Sequence, residues 1–126
     1  DSFAARFCIN EHCLAAGIPW VYSGVAADEG VSAAFAAGGA PCFRCFLPEA
    51  PPSGAVPDTV ANGILGPTVA MTAAVSAMRA IRVLAGQDEY GTMVFINSRE
   101  GTTRTMALEP AFDCPACGRE RGRDGQ

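Results

Sequence analysis

Several things are missing from this sequence, and each absence removes a class of function. Basic character is the first: acidic residues outnumber Lys and Arg 13 to 9, for a formal net charge of −4 and a pI near 4.8. A surface that neutralises phosphates needs clustered cations, so nucleic-acid binding is set aside. No charged n-region, apolar h-region and small-residue cleavage site follow Asp1, so no secretory leader is read. Charge is also absent from residues 60–78, about the length of a minimal bilayer span. That run is rich in Ala and Gly, contains Asn62 and is interrupted by Gly66-Pro67, so it reads as a buried helix and no membrane segment is expected. Histidine occurs once. His12 falls late in a helical stretch, where the dipole favours a solvated imidazole, and it is assigned no ligand or base role. Also missing is a strand followed by a G-x-G-x-x-G turn and a helix, so nothing here cradles a nucleotide phosphate by itself.

What is present is one domain's worth of chain. With 126 residues, 49% of them hydrophobic, the sequence can bury a single modest core. Residues 2–16 read as a helix. Asp1 and Ser2 are favourable caps, Phe3, Phe7, Asn10 and Leu14 recur at helical spacing, Gly17 stops the pattern and Pro19 forbids its continuation. Residues 20–25 and 31–36 read as a strand pair around Asp28-Glu29-Gly30. Between Pro41 and Pro57 stand five prolines (Pro41, Pro48, Pro51, Pro52 and Pro57), which fix φ and remove donors, so this stretch reads as loop. An Ala-rich helical region follows and breaks at Gly66-Pro67, with Pro67 opening a fresh helix to about residue 85, before Gly86. On that helix Arg79 and Arg82 share a face expected to be solvated, and Met71 and Met78 share a packing face. Residues 92–96 and 102–108 read as strands around a turn at 98–101. The fold class is therefore α/β with antiparallel strands, in one domain over 1–118. The 119–126 tail, with Arg119, Arg121 and Arg123, reads as disordered.

Six cysteines divide into two kinds. Cys8 and Cys13 stand alone in the first helix and are expected to be small buried apolar groups. Cys42/Cys45 and Cys114/Cys117 form two CxxC knuckles separated by 68 residues. Two residues between thiolates let both sulfurs face one metal, and two knuckles complete a tetrahedron of sulfur, the closed geometry of structural zinc. Four thiolates leave no position for a reactive water, so such a site positions rather than catalyses. With no secretion signal, the pairs point to a reducing compartment and a cytoplasmic location. Arg44, inside the first knuckle, is expected to hydrogen-bond thiolates or backbone. The competing reading is a pair of redox-active dithiols.

Set in order, these residues resemble a known family. Asp1-Ser2-Phe3-Ala4-Ala5-Arg6 with Asn10 is similar to the Asp-Asn-Phe-x-x-Arg…Asn segment of ThiF/MoeB/HesA proteins, which are E1-like adenylyltransferases. Gly17-Ile18-Pro19, Glu29-Gly30, Pro41-Cys42-Phe43-Arg44-Cys45, Gly63-Ile64-Leu65-Gly66-Pro67, Ala80 to Gly86 and Cys114-Pro115-Ala116-Cys117-Gly118 continue the likeness in the family's order. The resemblance implies the C-terminal half of an E1-like Rossmann-type domain with a four-cysteine zinc site. It also implies ATP- and magnesium-dependent adenylation of the C-terminal glycine of a ubiquitin-like sulfur-carrier protein of the ThiS/MoaD kind. By the same resemblance Asp1 helps hold magnesium and ATP, Cys42, Cys45, Cys114 and Cys117 ligate zinc, Arg6 and Asn10 buttress the first helix, and residues 47–58 drape over the carrier's tail.

Two departures accompany the likeness. Thr59 stands where the family often has a cysteine that attacks the adenylate or forms a persulfide, and a threonine hydroxyl has no thiolate form near neutral pH. The family's phosphate-gripping turn and basic residues precede the point where this sequence begins. ATP and Mg²⁺ are therefore expected only together with that N-terminal half. Half a Rossmann-type sheet leaves an open strand edge and an apolar face, so pairing is expected, either as a homodimer or with a complementing N-terminal half. The alternative function is a non-catalytic, zinc-stabilised interaction module.

Overall fold

The computed structural model describes residues 2–52, 54–55, 63–87 and 89–118. Asp1, Thr59 and the 119–126 tail lie outside the described residues. Helix α1 runs over Phe3–Ala16. The Ser2 hydroxyl oxygen accepts the Ala5 N–H at 3.1 Å, supplying a partner that the first helical turn lacks. At the other end Gly17 adopts φ +65°, a left-handed conformation that suits glycine, and the Ile18 N–H turns back onto the Cys13 carbonyl.

Strands β1 (Trp20–Ala26), β2 (Glu29–Phe35), β3 (Thr92–Asn97) and β4 (Thr102–Ala107) form one antiparallel sheet in that order. Trp20 stands opposite Phe35, Ala33 opposite Met93, and Met93 opposite Met106. The first turn is tighter than expected: Glu29 already pairs with Ala26, leaving Ala27 (φ +52°) and Asp28 to reverse the chain. The 41–57 stretch is not all loop either. Phe43–Phe46 close one helical turn, α2, in the interval free of proline between Pro41 and Pro48. Helix α3 spans Gly66–Leu84, with Pro67 in its first turn where a missing N–H costs nothing.

Alternation along β2 sends its residues to two unlike layers. Ala33 and Phe35 join Phe7, Tyr22, Phe43, Met93 and Leu108 in a buried cluster beneath α1 and α2. Phe43 is its hub: its ring centroid lies 4.9 Å from Tyr22, 5.6 Å from Phe7, 5.9 Å from Trp20 and 6.1 Å from Phe35, the last edge-on. Gly30 and Ser32 face the opposite way, toward α3. A Cβ on Gly30 would overlap Thr72 Oγ1, so α3 approaches β2 as closely as only glycine permits.

The α3 stripe against the sheet is polar. Thr68 and Thr72 are buried, the Thr72 hydroxyl donates to the Thr68 carbonyl at 2.8 Å, and the Ser76 and Ser32 hydroxyls meet at 2.9 Å. Arg79 belongs to this stripe, which corrects the expectation of a solvated position. It is 6% exposed and donates to the Glu89 and Thr92 carbonyls and to Thr92 Oγ1 at 3.1–3.3 Å. Arg82, one turn on, is exposed as expected and pairs with Glu89. Met71, Met78, Ile81 and Leu84 point outward and are exposed, so the usual polarity of a surface helix is inverted. No described helix is long and apolar enough to cross a membrane.

Candidate metal centre

The start of α2 and the chain just after Leu108 bring the two cysteine pairs together beside the aromatic cluster. Cys42 Sγ lies 3.6 Å from Cys114 Sγ, Cys45 Sγ lies 3.3 Å from Cys117 Sγ, and all four sulfurs fall within 4.8 Å of one another. A metal bonded to four sulfurs at about 2.3 Å would space them about 3.8 Å apart, so the donor set and its spread fit a tetrahedral ion. The thiols are free rather than paired as disulfides. Cys42 and Cys114 are buried; Cys45 and Cys117 are partly so.

Electrostatics favour a cation here. Burial resists ionisation of Cys114, yet the N–H groups of Cys117 and Ala116 and the neighbouring thiols outweigh it and bring its pKa down to about 7. Burial pushes the Cys42 thiol up, and burial with the crowding of Cys45, Cys42 and Cys114 pushes Cys117 up much further. The cluster therefore yields one thiolate readily and resists the next. A divalent ion removes that conflict by neutralising the charge as it forms.

Backbone geometry sets each knuckle. The Cys45 N–H donates to the Cys42 carbonyl at 3.0 Å, and the Leu47 N–H to the Phe43 carbonyl at 2.9 Å. In the second knuckle the Gly118 N–H donates to the Cys114 carbonyl at 2.9 Å. A Cβ on Gly118 would sit 2.5 Å from that carbonyl oxygen and 2.7 Å from the Cys114 nitrogen, both backbone atoms that cannot step aside. Gly118→Ala is accordingly expected to open the second knuckle and weaken metal affinity at least tenfold, which corresponds to about 1.4 kcal/mol of added strain. Competition with a chromogenic chelator would read it.

Helix α1 grips the first knuckle from outside. Asn10, wholly buried, accepts the Phe43 N–H on Oδ1 at 2.9 Å. Arg44 does not reach a thiolate: it donates to Glu11 Oε1 (2.6 and 2.8 Å) and the Pro48 carbonyl (2.8 Å), and its guanidinium lies 4.2 Å from the Phe7 ring centroid. Pattern reasoning missed Glu11 and the partner of Asn10, because both contacts cross 33 residues of sequence. The remaining expectations divide. His12 is exposed, as anticipated, whereas Cys8 is exposed and Cys13 half-buried, so neither is a core residue. Arg6 stacks on Phe3 and Tyr22, with its guanidinium 4.9 and 5.5 Å from their ring centroids. It also lines an open cavity of about 260 Å³ with Ser23, Gly24, Ile64 and Thr72.

Comparison with known proteins places these features in context. Residues 1–116 match the sequence model of the ThiF family. The chain is 33% identical over 120 residues to the SAMP-activating enzyme E1 of Haloferax volcanii, covering 94% of this chain and 44% of that protein. Identity is 29% to the sulfur carrier protein adenylyltransferase of Thermus thermophilus, over 95% of this chain and 47% of the relative. It is also 29% to the adenylyltransferase and sulfurtransferase MOCS3 of Sus scrofa, over 94% and 27%. The chain thus spans less than half the length of these relatives. The crystal structure of E. coli MccB superimposes with a TM-score of 0.78 over 100% of this chain and 40% of MccB, at 17% identity, a likeness of fold alone.

Proposed function

Because the chain belongs to the ThiF family, we propose that it forms the C-terminal half of an ATP-dependent adenylyltransferase that activates the C-terminal glycine of a ubiquitin-like sulfur-carrier protein. The observation that carries this reading is the likeness, along nearly the whole chain, to proteins named for activating SAMP or a sulfur carrier. In the proposed reaction a glycine carboxylate oxygen attacks the α-phosphorus of ATP and pyrophosphate leaves. The resulting acyl adenylate carries a good leaving group where the carboxylate had none. Such chemistry needs alignment and charge neutralisation more than covalent help from the protein.

In this reading Asp1 contributes to holding Mg²⁺ and ATP, together with the phosphate-gripping residues of an N-terminal half. Cys42, Cys45, Cys114 and Cys117 hold Zn²⁺, which soft thiolates in a tetrahedron favour. The ion is structural: it ties the segment after β2 to the segment after β4 and leaves no coordination site for substrate. Thr59 replaces the family's cysteine, so adenylation proceeds without a thioester or persulfide at that position. The test is carrier-dependent ATP–pyrophosphate exchange by the chain joined to a nucleotide-binding half. Exchange that requires the carrier's terminal glycine is expected, and none above background with a folded, zinc-loaded protein would reject the reading.

Pairing with a second copy or with a complementing half is supported by two surfaces. Among the described residues no strand pairs with the outer edge of β1, and the outward face of α3 is apolar along Met71, Met78, Ile81 and Leu84. Placing glutamate at both Met78 and Ile81 is expected to abolish that association while shifting Tm by only a few degrees, since both side chains are more than half exposed. Light scattering after size exclusion gives the answer; an unchanged assembly would exclude this face.

A further inference from the structure

Asn10 is an expensive choice for its position. The side chain is wholly buried in the middle of α1, and its Nδ2 has no hydrogen-bond partner among the described residues. A buried, unsatisfied donor destabilises a fold, and leucine has the same branched shape without that cost. What the amide supplies and leucine lacks is direction. Its oxygen is fixed at one point on α1 and accepts one specific N–H, that of Phe43. Phe43 and Arg44 are the two residues between the cage cysteines Cys42 and Cys45. Both are held by one face of α1, at helical spacing: Phe7 against the Phe43 ring and under the Arg44 guanidinium, Asn10 on the Phe43 N–H, and Glu11 on Arg44.

We propose that Asn10 is the positioning residue that locks α1 to the cysteine cage, so that metal loading is transmitted to α1 as a gain in rigidity and metal loss releases the helix. The mechanism is geometric. A metal fixes Cys42 and Cys45, which fixes the Phe43 N–H, and a directional bond passes that restraint to the helix where apolar packing alone would let α1 slide. Helix α3 lies on the opposite face of the sheet from the aromatic cluster and stays outside the coupled unit. The inference rests on the metal-site reading above.

Hydrogen exchange of the full chain, with zinc and after stripping by chelator, tests this alongside metal analysis. In the wild type, amides of residues 7–14 are expected to exchange at least about tenfold faster once zinc is removed, while those of α3 change little. Asn10→Leu, which keeps the packing but not the acceptor, is expected to bind zinc yet show the same α1 exchange with and without it. Asn10→Asp, which retains an oxygen for the Phe43 N–H, restores most of the zinc dependence, a rescue that a purely packing role would not produce. Should Asn10→Leu fail to fold, Arg44→Met carries the test: its stem still covers Phe7 but the Glu11 bond is gone, and the zinc-dependent slowing of α1 falls by about half. If the wild type binds zinc and α1 exchanges at the same rate without it, or if Asn10→Leu stays fully coupled, the inference is overturned. A wild type that binds no zinc at all overturns the metal-site reading instead.

Discussion

Cys42→Ser is expected to lose the bound metal and lower Tm by roughly 15 °C, the shift that about 4 kcal/mol produces in a domain of this size. The figure follows from the cross-link. An ion held by the four cysteines would join two knuckles with 68 residues between them, and closing a loop of that length in the unfolded chain is worth about 4 kcal/mol. Cys42 is the most consequential of the four because it is 1% exposed and sits between the aromatic hub and Cys114. Serine is smaller and its hydroxyl stays protonated, so it neither fills the sulfur's place nor neutralises the ion. The protein is not expected to unfold outright, since the strand pairing of the sheet and its contacts with α3 involve none of the cage cysteines. Calorimetry with metal analysis checks the result. Acid should act in the same direction: a metal-bound cage requires four thiolates, and protons compete with the ion for them, so metal is expected to be released as pH falls.

The second large effect is on the other layer. Gly30→Ala is expected to destabilise the fold by about 3 kcal/mol, because the added methyl overlaps Thr72 Oγ1. Thr72 has no easy escape: it is β-branched, almost wholly buried, and bonded through that same oxygen to the Thr68 carbonyl. Relief requires either breaking that bond or lifting α3 from the sheet, which would also separate Ser76 from Ser32. Thr72→Ala creates the space the methyl needs, so the double variant should recover more than half of the loss. Chemical denaturation of the two single variants and the double variant gives the coupling directly. Additive losses would mean that α3 does not approach β2 through this pair.

Particular elements explain how much was legible beforehand. Both limits of α1 were readable because capping is local chemistry: Ser2 and Gly17 do at the helix ends what their side chains and backbone freedom allow anywhere. The four-cysteine cluster was readable because CxxC spacing constrains two sulfurs regardless of the surrounding fold, and the structure brings all four together. Arg79 was misplaced because periodicity says that two faces of a helix differ and does not say which one meets the sheet. The rule that apolar faces point inward fails for α3, whose small hydroxyl residues suit a close approach to Gly30 and Ser32 better than bulkier ones would. Cys8 was misread for a related reason: α1 buries only one narrow face, and Phe7 and Asn10 occupy it. The one-turn helix at Phe43–Phe46 escaped notice because prolines on both sides masked a four-residue interval that obeys its own capping geometry. Asn10 gave no signal beyond its family motif, since its partner is 33 residues away.

The most direct test of the central claim is to trap the acyl adenylate. The chain joined to a nucleotide-binding half would be incubated with ATP, Mg²⁺ and a ubiquitin-like sulfur carrier in the presence of hydroxylamine, and the carrier's intact mass recorded. Conversion of the terminal glycine carboxylate to its hydroxamate, dependent on ATP and absent when that glycine is deleted, is the predicted result. An unmodified carrier, from a protein shown to be folded and to bind ATP, would contradict the account.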